Sequence, residues 1–231
     1  MMKSFKLPFV LVNFKSYSES IGKNAYQLAK VCERISREYS VNISVAPQFT
    51  DIYPIANSFD VPIFAQHADP VVSDAKTGHV SILAIKEAGA IGTLLNHSER
   101  KLKMETIKKC IEIAKEHDMI TICCSDSIDE SLDIINYFPN FIAYEPPELI
   151  GTGVSVSQVQ PEIIEDIVES VGHISSQTKI MCGAGISSAE DIDKALKART
   201  VGVLISSAVV KAKEPQKILE SFAKVLNEHN I

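Results

Sequence analysis

At 231 residues, with 45% hydrophobic and 23% charged side chains, the chain is long enough to bury a sizeable core and has the composition of an ordinary globular protein. A net charge of −6 and a pI near 5.6 argue against a nucleic-acid surface. The opening stretch MMKSFKLPFVLVNFK lacks the apolar length and small-residue cleavage pattern of a signal peptide, and no apolar run approaches the roughly 20 residues that span a bilayer, so a soluble, cytoplasmic protein is expected.

Apolar, β-branched runs then recur in chain order, each predicting a strand. FVLVNF (9–14) is followed by YQLAKVCERISREY, whose apolar residues fall three and four apart as on one face of a helix. ISVAP (43–47) and PIFAQH (62–67) come next, and after the latter the expected helix is displaced by ADPVVSDAKTGHVS, a long polar loop of the kind that serves function or a partner. AIGTLLN (90–96) precedes the helical ETIKKCIEIAKEH, and ITICC (120–124) precedes FIAYE (141–145). PEIIEDIVESV is again helical, KIMCGAG (179–185) leads into SAEDIDKAL with Ser188 as helix cap, and VGVLIS (201–206) is the last strand.

Eight strand and helix units in just over 200 residues fit a closed (β/α)8 barrel better than an open doubly wound sheet. No linker or low-complexity tract marks a second domain, so residues 1–231 are expected to form one. The five cysteines are an odd number without a C-x-x-C pair, which disfavours a disulfide framework and a zinc site. Cys123 and Cys124, adjacent in a predicted strand, face opposite sides and read as packing residues.

In such a barrel the active site lies at the carboxyl ends of the strands. The first strand ends in NFK, where Asn13 and Lys15, two apart, are expected to point the same way. The fourth ends in NHSERK, and there Ser98 is predicted to cap a short helix whose first amides keep the His97 ring neutral. The sixth ends in YEPPE, so Glu145 sits at the rim of a packed core, where burial raises a carboxyl pKa toward that of a useful base. Gly183 and Gly185 after strand seven are expected to allow tight backbone turns, and with small residues after strand eight they fall where barrels commonly bind phosphate. Taken singly, each has an ordinary reading as a loop charge, a satisfied polar group, an ion pair or a βα turn. Their combination favours a catalytic site.

In order along essentially the whole chain, VNFK, HSER and YEPPELIGTG resemble the triosephosphate isomerase family, a family of TIM barrels. The resemblance implies that Asn13 and Lys15 bind substrate, that His97 is the electrophile and Glu145 the base, and that Glu99 contacts the lysine. It likewise assigns Ile150, Gly151, Gly185, Ser206 and Ser207 to the phosphate. The base and neutral-histidine roles are those established for the family. The implied reaction is interconversion of dihydroxyacetone phosphate and D-glyceraldehyde 3-phosphate through an enediolate, a step of glycolysis and gluconeogenesis that needs no metal or organic cofactor.

The same resemblance matches Thr77, in the loop after strand three, to a residue that reaches a partner's active site. It therefore implies at least a homodimer, with a homotetramer open. Departures from the common pattern are Asn96 in place of a glycine, Pro147, Glu148 and Leu149 at the start of the expected lid, and CGAG in place of a Y-G-G-S type turn. In these features the chain resembles the family's compact archaeal branch. In PPELIGTG the prolines restrict the exit from Glu145, and Gly151 and Gly153 allow amides to approach a phosphate, so a closing lid is expected. Two rival readings are a metal-dependent epimerase using His67 and Asp69, and a non-catalytic barrel with a decayed site.

Overall fold

The computed structural model of the protein describes residues 5–145, 161–183 and 185–229. Pro146, Pro147, Glu148, Leu149, Ile150, Gly151 and Gly153 lie outside the described residues, and with them the expected lid.

Eight strands form one parallel sheet: β1 (Phe9–Asn13), β2 (Asn42–Ala46), β3 (Phe64–Ala65), β4 (Gly92–Leu95), β5 (Ile120–Ser125), β6 (Phe141–Tyr144), β7 (Lys179–Cys182) and β8 (Gly202–Ile205). Their order is β2-β1-β8-β7-β6-β5-β4-β3. The remaining seam between β2 and β3 closes through the parallel bridge Val45 to Ile63, where the Val45 amide donates to the Pro62 carbonyl at 2.9 Å. The sheet is therefore a (β/α)8 barrel, and each of the eight predicted runs overlaps one of its strands, β2 starting one residue before its run and β5 ending one residue after.

Nine helices lie among the described residues: α1 (Lys23–Tyr39), α2 (Phe49–Ala56), α3 (Ile82–Glu87), α4 (Met104–Glu116), α5 (Ile128–Ile135), α6 (Pro161–Ile174), α7 (Ala189–Lys197), the single turn α8 (Ser207–Val210) and α9 (Pro215–Glu228). Helix α1 buries Ala25, Leu28, Ala29, Cys32 and Ile35, the stripe its three-and-four spacing predicts. Ser188 caps α7 as expected and shares a capping box with Asp191. None of the helices described is long and apolar enough to cross a membrane.

Strand alternation divides the core in two. Phe9, Leu11, Ala46, Phe64, Leu94, Ile122, Cys124, Phe141, Ala143, Met181 and Leu204 fill the barrel interior. Val10, Val12, Ile43, Val45, Cys123, Ile142 and Val203 join the helix side chains in the outer layer. Cys123 and Cys124 thus face opposite ways, and all five cysteines are buried thiols. The floor of the barrel is aromatic: Phe5, Phe9 and Phe141 meet with ring centroids 4.7 to 6.1 Å apart. Each fully buried phenylalanine stabilises the fold by about 1.5–3 kcal/mol over leaving it exposed. Gly202 makes room for this floor, because a Cβ there would stand 2.9 Å from the Phe9 ring and 2.4 Å from its carbonyl oxygen.

Continuing the inward parity upward carries the argument from core to chemistry. In β6 the inward residues are Phe141 and Ala143, and the next is Glu145; in β1 they are Phe9 and Leu11, and the next is Asn13. The strands deliver these polar groups to the upper rim of the same barrel that their lower residues fill.

Candidate active site

Glu145 is only 5% exposed, and its Oε2 has no hydrogen-bond partner among the described residues. Burial pushes its carboxyl up to about 7 from an ordinary 4.5, against the pull of the Cys124 thiol, which donates to it, and of the Lys15 charge. Cys124 is therefore more than the packing residue the sequence suggests. Gly183 belongs to this arrangement too. Its φ is not among the positive values, so a tight turn is not its reason for being glycine; a Cβ would stand 2.4 Å from Glu145 Cγ and 3.1 Å from Oε1. The backbone just after β7 forms a wall against which the Glu145 carboxylate lies.

The buried carboxyl has a consequence for stability. Below about pH 4.5 it is protonated in both folded and unfolded chains, and as pH rises past 7 the folded chain alone bears the cost of ionising it. A difference of 2.5 pH units corresponds to about 3 kcal/mol. Glu145→Gln is accordingly expected to be more resistant to urea than the wild type at pH 8, by about that amount, with the gap closing below pH 4. A gap independent of pH would refute the assignment.

His97 stands opposite, with Nε2 3.8 Å from Glu145 Oε1. Its pKa falls to about 4 from 6.5, chiefly through burial and then through the Lys15 charge, so the ring is neutral and the contact is not an ion pair. The Glu99 amide donates to Nδ1 at 3.2 Å, which assigns the ring proton to Nε2, facing the carboxylate.

The expected helix after His97 does not form. Residues 98–100 make a turn, closed by the Arg100 amide on the His97 carbonyl at 2.7 Å, and α4 begins only at Met104. A side chain intercepts the backbone: Asn96 Oδ1 takes the Leu102 amide at 2.9 Å, leaving the chain extended up to the Lys103 cap. The neutral ring therefore rests on burial and the Lys15 charge rather than on a helix dipole. Asn96 itself has φ +58°, a left-handed conformation that glycine and asparagine tolerate best, so its backbone is compatible with a position where a glycine is common.

Lys15 reaches this site by a route that strand alternation does not describe. Strand β1 ends at Asn13, whose Oδ1 accepts the Lys15 amide at 3.0 Å, and Lys15 adopts φ +49°. A non-glycine residue held there costs about 1–3 kcal/mol. Two side chains that the sequence did not single out hold it: Gln48 Nε2 and Gln66 Nε2 donate to the Lys15 carbonyl at 2.7 and 3.0 Å. Lys15 Nζ then pairs with Glu99 Oε1 at 2.7 Å, the latter side chain being largely exposed. Asn13, Lys15, His97, Glu99 and Glu145 are thus linked around one strand-end cluster.

Gly185 and Ser206 follow β7 and β8, which are neighbours in the sheet. Gly185 has φ +70°, as its predicted turn requires, while Ser206 precedes α8 with its Oγ buried and without a partner among the described residues. Ser207 opens that turn and is exposed. His67 and Asp69, the residues of the epimerase reading, have another use. His67 Nε2 lies 3.1 Å from Asp69 Oδ1, and Asp69 Oδ2 accepts the Val80 amide at 2.7 Å, pinning the base of the 69–81 loop with Thr77 exposed beyond it. Among the described residues no group of three or more histidine, cysteine or acidic side chains is placed to hold a metal ion.

A family model described as triosephosphate isomerase matches residues 8–225 of the chain. A triosephosphate isomerase of Methanothermus fervidus is 45% identical over 213 residues, covering 92% of this chain and 96% of that protein. That of Methanosarcina acetivorans is 42% identical over 219 residues, 95% of this chain and 99% of its own. That of Methanocaldococcus jannaschii is 41% identical over 217 residues, with 94% and 99% covered.

Proposed function

The chain belongs to the triosephosphate isomerase family and interconverts dihydroxyacetone phosphate and D-glyceraldehyde 3-phosphate, and from that premise we propose which of its residues do the chemistry. Glu145 takes a proton from C1 of dihydroxyacetone phosphate, and the electron pair of that C–H bond becomes the C1–C2 double bond of the enediolate. His97 donates from Nε2 to the oxygen on C2 as negative charge collects there. Glu145 then returns its proton to C2, the proton of the C1 hydroxyl passes to the oxygen on C2 at His97 Nε2, and C1 becomes the aldehyde carbon. One carboxylate serves both carbons. Lys15 offsets the charge of phosphate and enediolate, Asn13 holds the Lys15 amide, and Glu99 holds Nζ.

The observation that carries this reading is a buried carboxylate oxygen without a partner beside the Nε2–H of a neutral imidazole, 3.8 Å from the other oxygen. The acceptor and the donor the reaction needs are both unspent. Gly185, Ser206, Ser207, Ile150 and Gly151 bind the phosphate, the last two on the resemblance alone. Residues 1–231 act as one catalytic domain in the cytoplasm, in glycolysis and gluconeogenesis. A coupled assay on the purified chain with glyceraldehyde 3-phosphate, run in the presence of a chelator, tests the scheme through Glu145→Asp and His97→Asn. Retention of near-wild-type turnover by either variant defeats the role given to that residue.

The working unit is a homo-oligomer, at least a dimer, in which Thr77 on the exposed 69–81 loop reaches the active site of a second copy. The support is the pinned base of that loop and the exposure of Thr77. Light scattering at assay concentration is expected to give two or four times the chain mass of 25.3 kDa. A monomer with full activity would end this claim.

A further inference from the structure

We propose that Asn96, backed by Glu130 and Lys101, is a positioning residue that clamps the loop carrying His97 and so aims its imidazole at Glu145. The inference rests on the role given to His97 above. Its starting point is that the Asn96 backbone alone does not explain the residue. A φ of +58° is met as well by glycine, so the carboxamide needs its own reason.

That carboxamide is 99% removed from solvent with its residue and is fully engaged. Its Nδ2 donates to the Cys124 carbonyl on β5 and to Glu130 Oε1 on α5, each at 2.9 Å, and its Oδ1 accepts the Leu102 amide at 2.9 Å. One side chain thus ties the end of β4 to the next strand, to the next helix and to the far side of its own loop. Lys101 closes the loop from the other end. Its Nζ meets Glu130 Oε1 and Oε2 at 2.7 Å each and Asp126 Oδ2 at 2.9 Å. The residues just before and just after the 97–100 turn therefore land on the same carboxylate. Glu130 is itself held, because its Oε2 accepts the Asp126 amide at 2.9 Å and its own amide binds the Ser127 cap at 3.1 Å.

Between these anchors the largely buried His97 ring keeps its Nδ1 on the Glu99 amide and its Nε2 toward Glu145. Released at either end, the turn would swing the ring toward water. An aspartate at position 96 would not substitute, since it would set a second carboxylate against Glu130 and the Cys124 carbonyl.

The test is Asn96→Gly, which preserves the left-handed backbone and removes only the carboxamide, read by steady-state kinetics and by the ring nitrogen resonances of His97 across pH. The expected result is a fall in kcat of roughly 10- to 10²-fold with KM changed by less than about threefold. The His97 pKa is expected to rise from about 4 toward its ordinary 6.5, with the single Nε2–H tautomer giving way to a mixture. A loop serving stability alone would leave that titration unmoved. An unchanged His97 titration in Asn96→Gly overturns the inference, whatever the activity. A released ring with unchanged kcat would uphold the clamp and remove His97 from the chemistry instead. Should Asn96→Gly not fold, Glu130→Ala removes the shared carboxylate from a partly exposed position. It is expected to move the His97 pKa in the same direction and to lower kcat by roughly 3- to 10-fold, and no movement of that pKa would equally overturn the clamp.

Discussion

Glu145→Asp is expected to lower kcat by roughly 10²-fold or more while KM stays within about threefold. Losing one methylene withdraws the carboxylate by about 1.5 Å, a displacement that takes the base out of its near-attack position. The backbone cannot follow to compensate. Position 145 is held by its amide on the Ser125 carbonyl at 2.8 Å, and the Gly183 amide binds the Tyr144 carbonyl at 2.9 Å. In the proposed scheme the phosphate is bound at other strand ends, so substrate affinity has little cause to change. Steady-state kinetics with both triose phosphates provide the measurement, and retention of a tenth of wild-type kcat would sink the assignment of Glu145 as the base.

His97→Asn should cost roughly 10²- to 10³-fold in kcat, the usual effect of removing one preorganised donor to a developing oxyanion. The asparagine is chosen because its Oδ1 takes the place of Nδ1 and can still accept the Glu99 amide, now 3.2 Å from the ring. The loop contact survives and the Nε2–H reach does not. Thermal denaturation is expected to change little beside the kinetic loss. A variant within tenfold of wild type would show that charge on the substrate oxygen is met by another group, with Lys15 the first to examine.

Much of this site follows from local patterns. Apolar runs of four to six residues ending in a polar one are visible without any fold, and inward parity through Phe141 and Ala143 puts Glu145 at the rim. The raised carboxyl pKa follows from the same placement, because burial is its largest cause. Where local reasoning misread the chain, a contact from elsewhere intervened. Ser98 looks like a helix cap in NHSERK, but the Leu102 amide goes to the Asn96 side chain and the helix waits until Met104. Gly183 looks like a turn residue, but its missing Cβ is the room taken by Glu145.

The sequence by itself determined the eight-unit alternation, the barrel class and the identity of the residues at the strand ends, because hydrophobic periodicity and the φ preferences of glycine and asparagine act within a few residues. Only the tertiary structure decided what holds those residues in working geometry. Gln48 and Gln66 on the strained Lys15 carbonyl, Cys124 and Gly183 around the base, and Glu130 and Lys101 behind Asn96 all come from other strands and helices. Their partners meet only when the sheet closes, and a hydrogen bond between distant segments leaves no period in the chain to read.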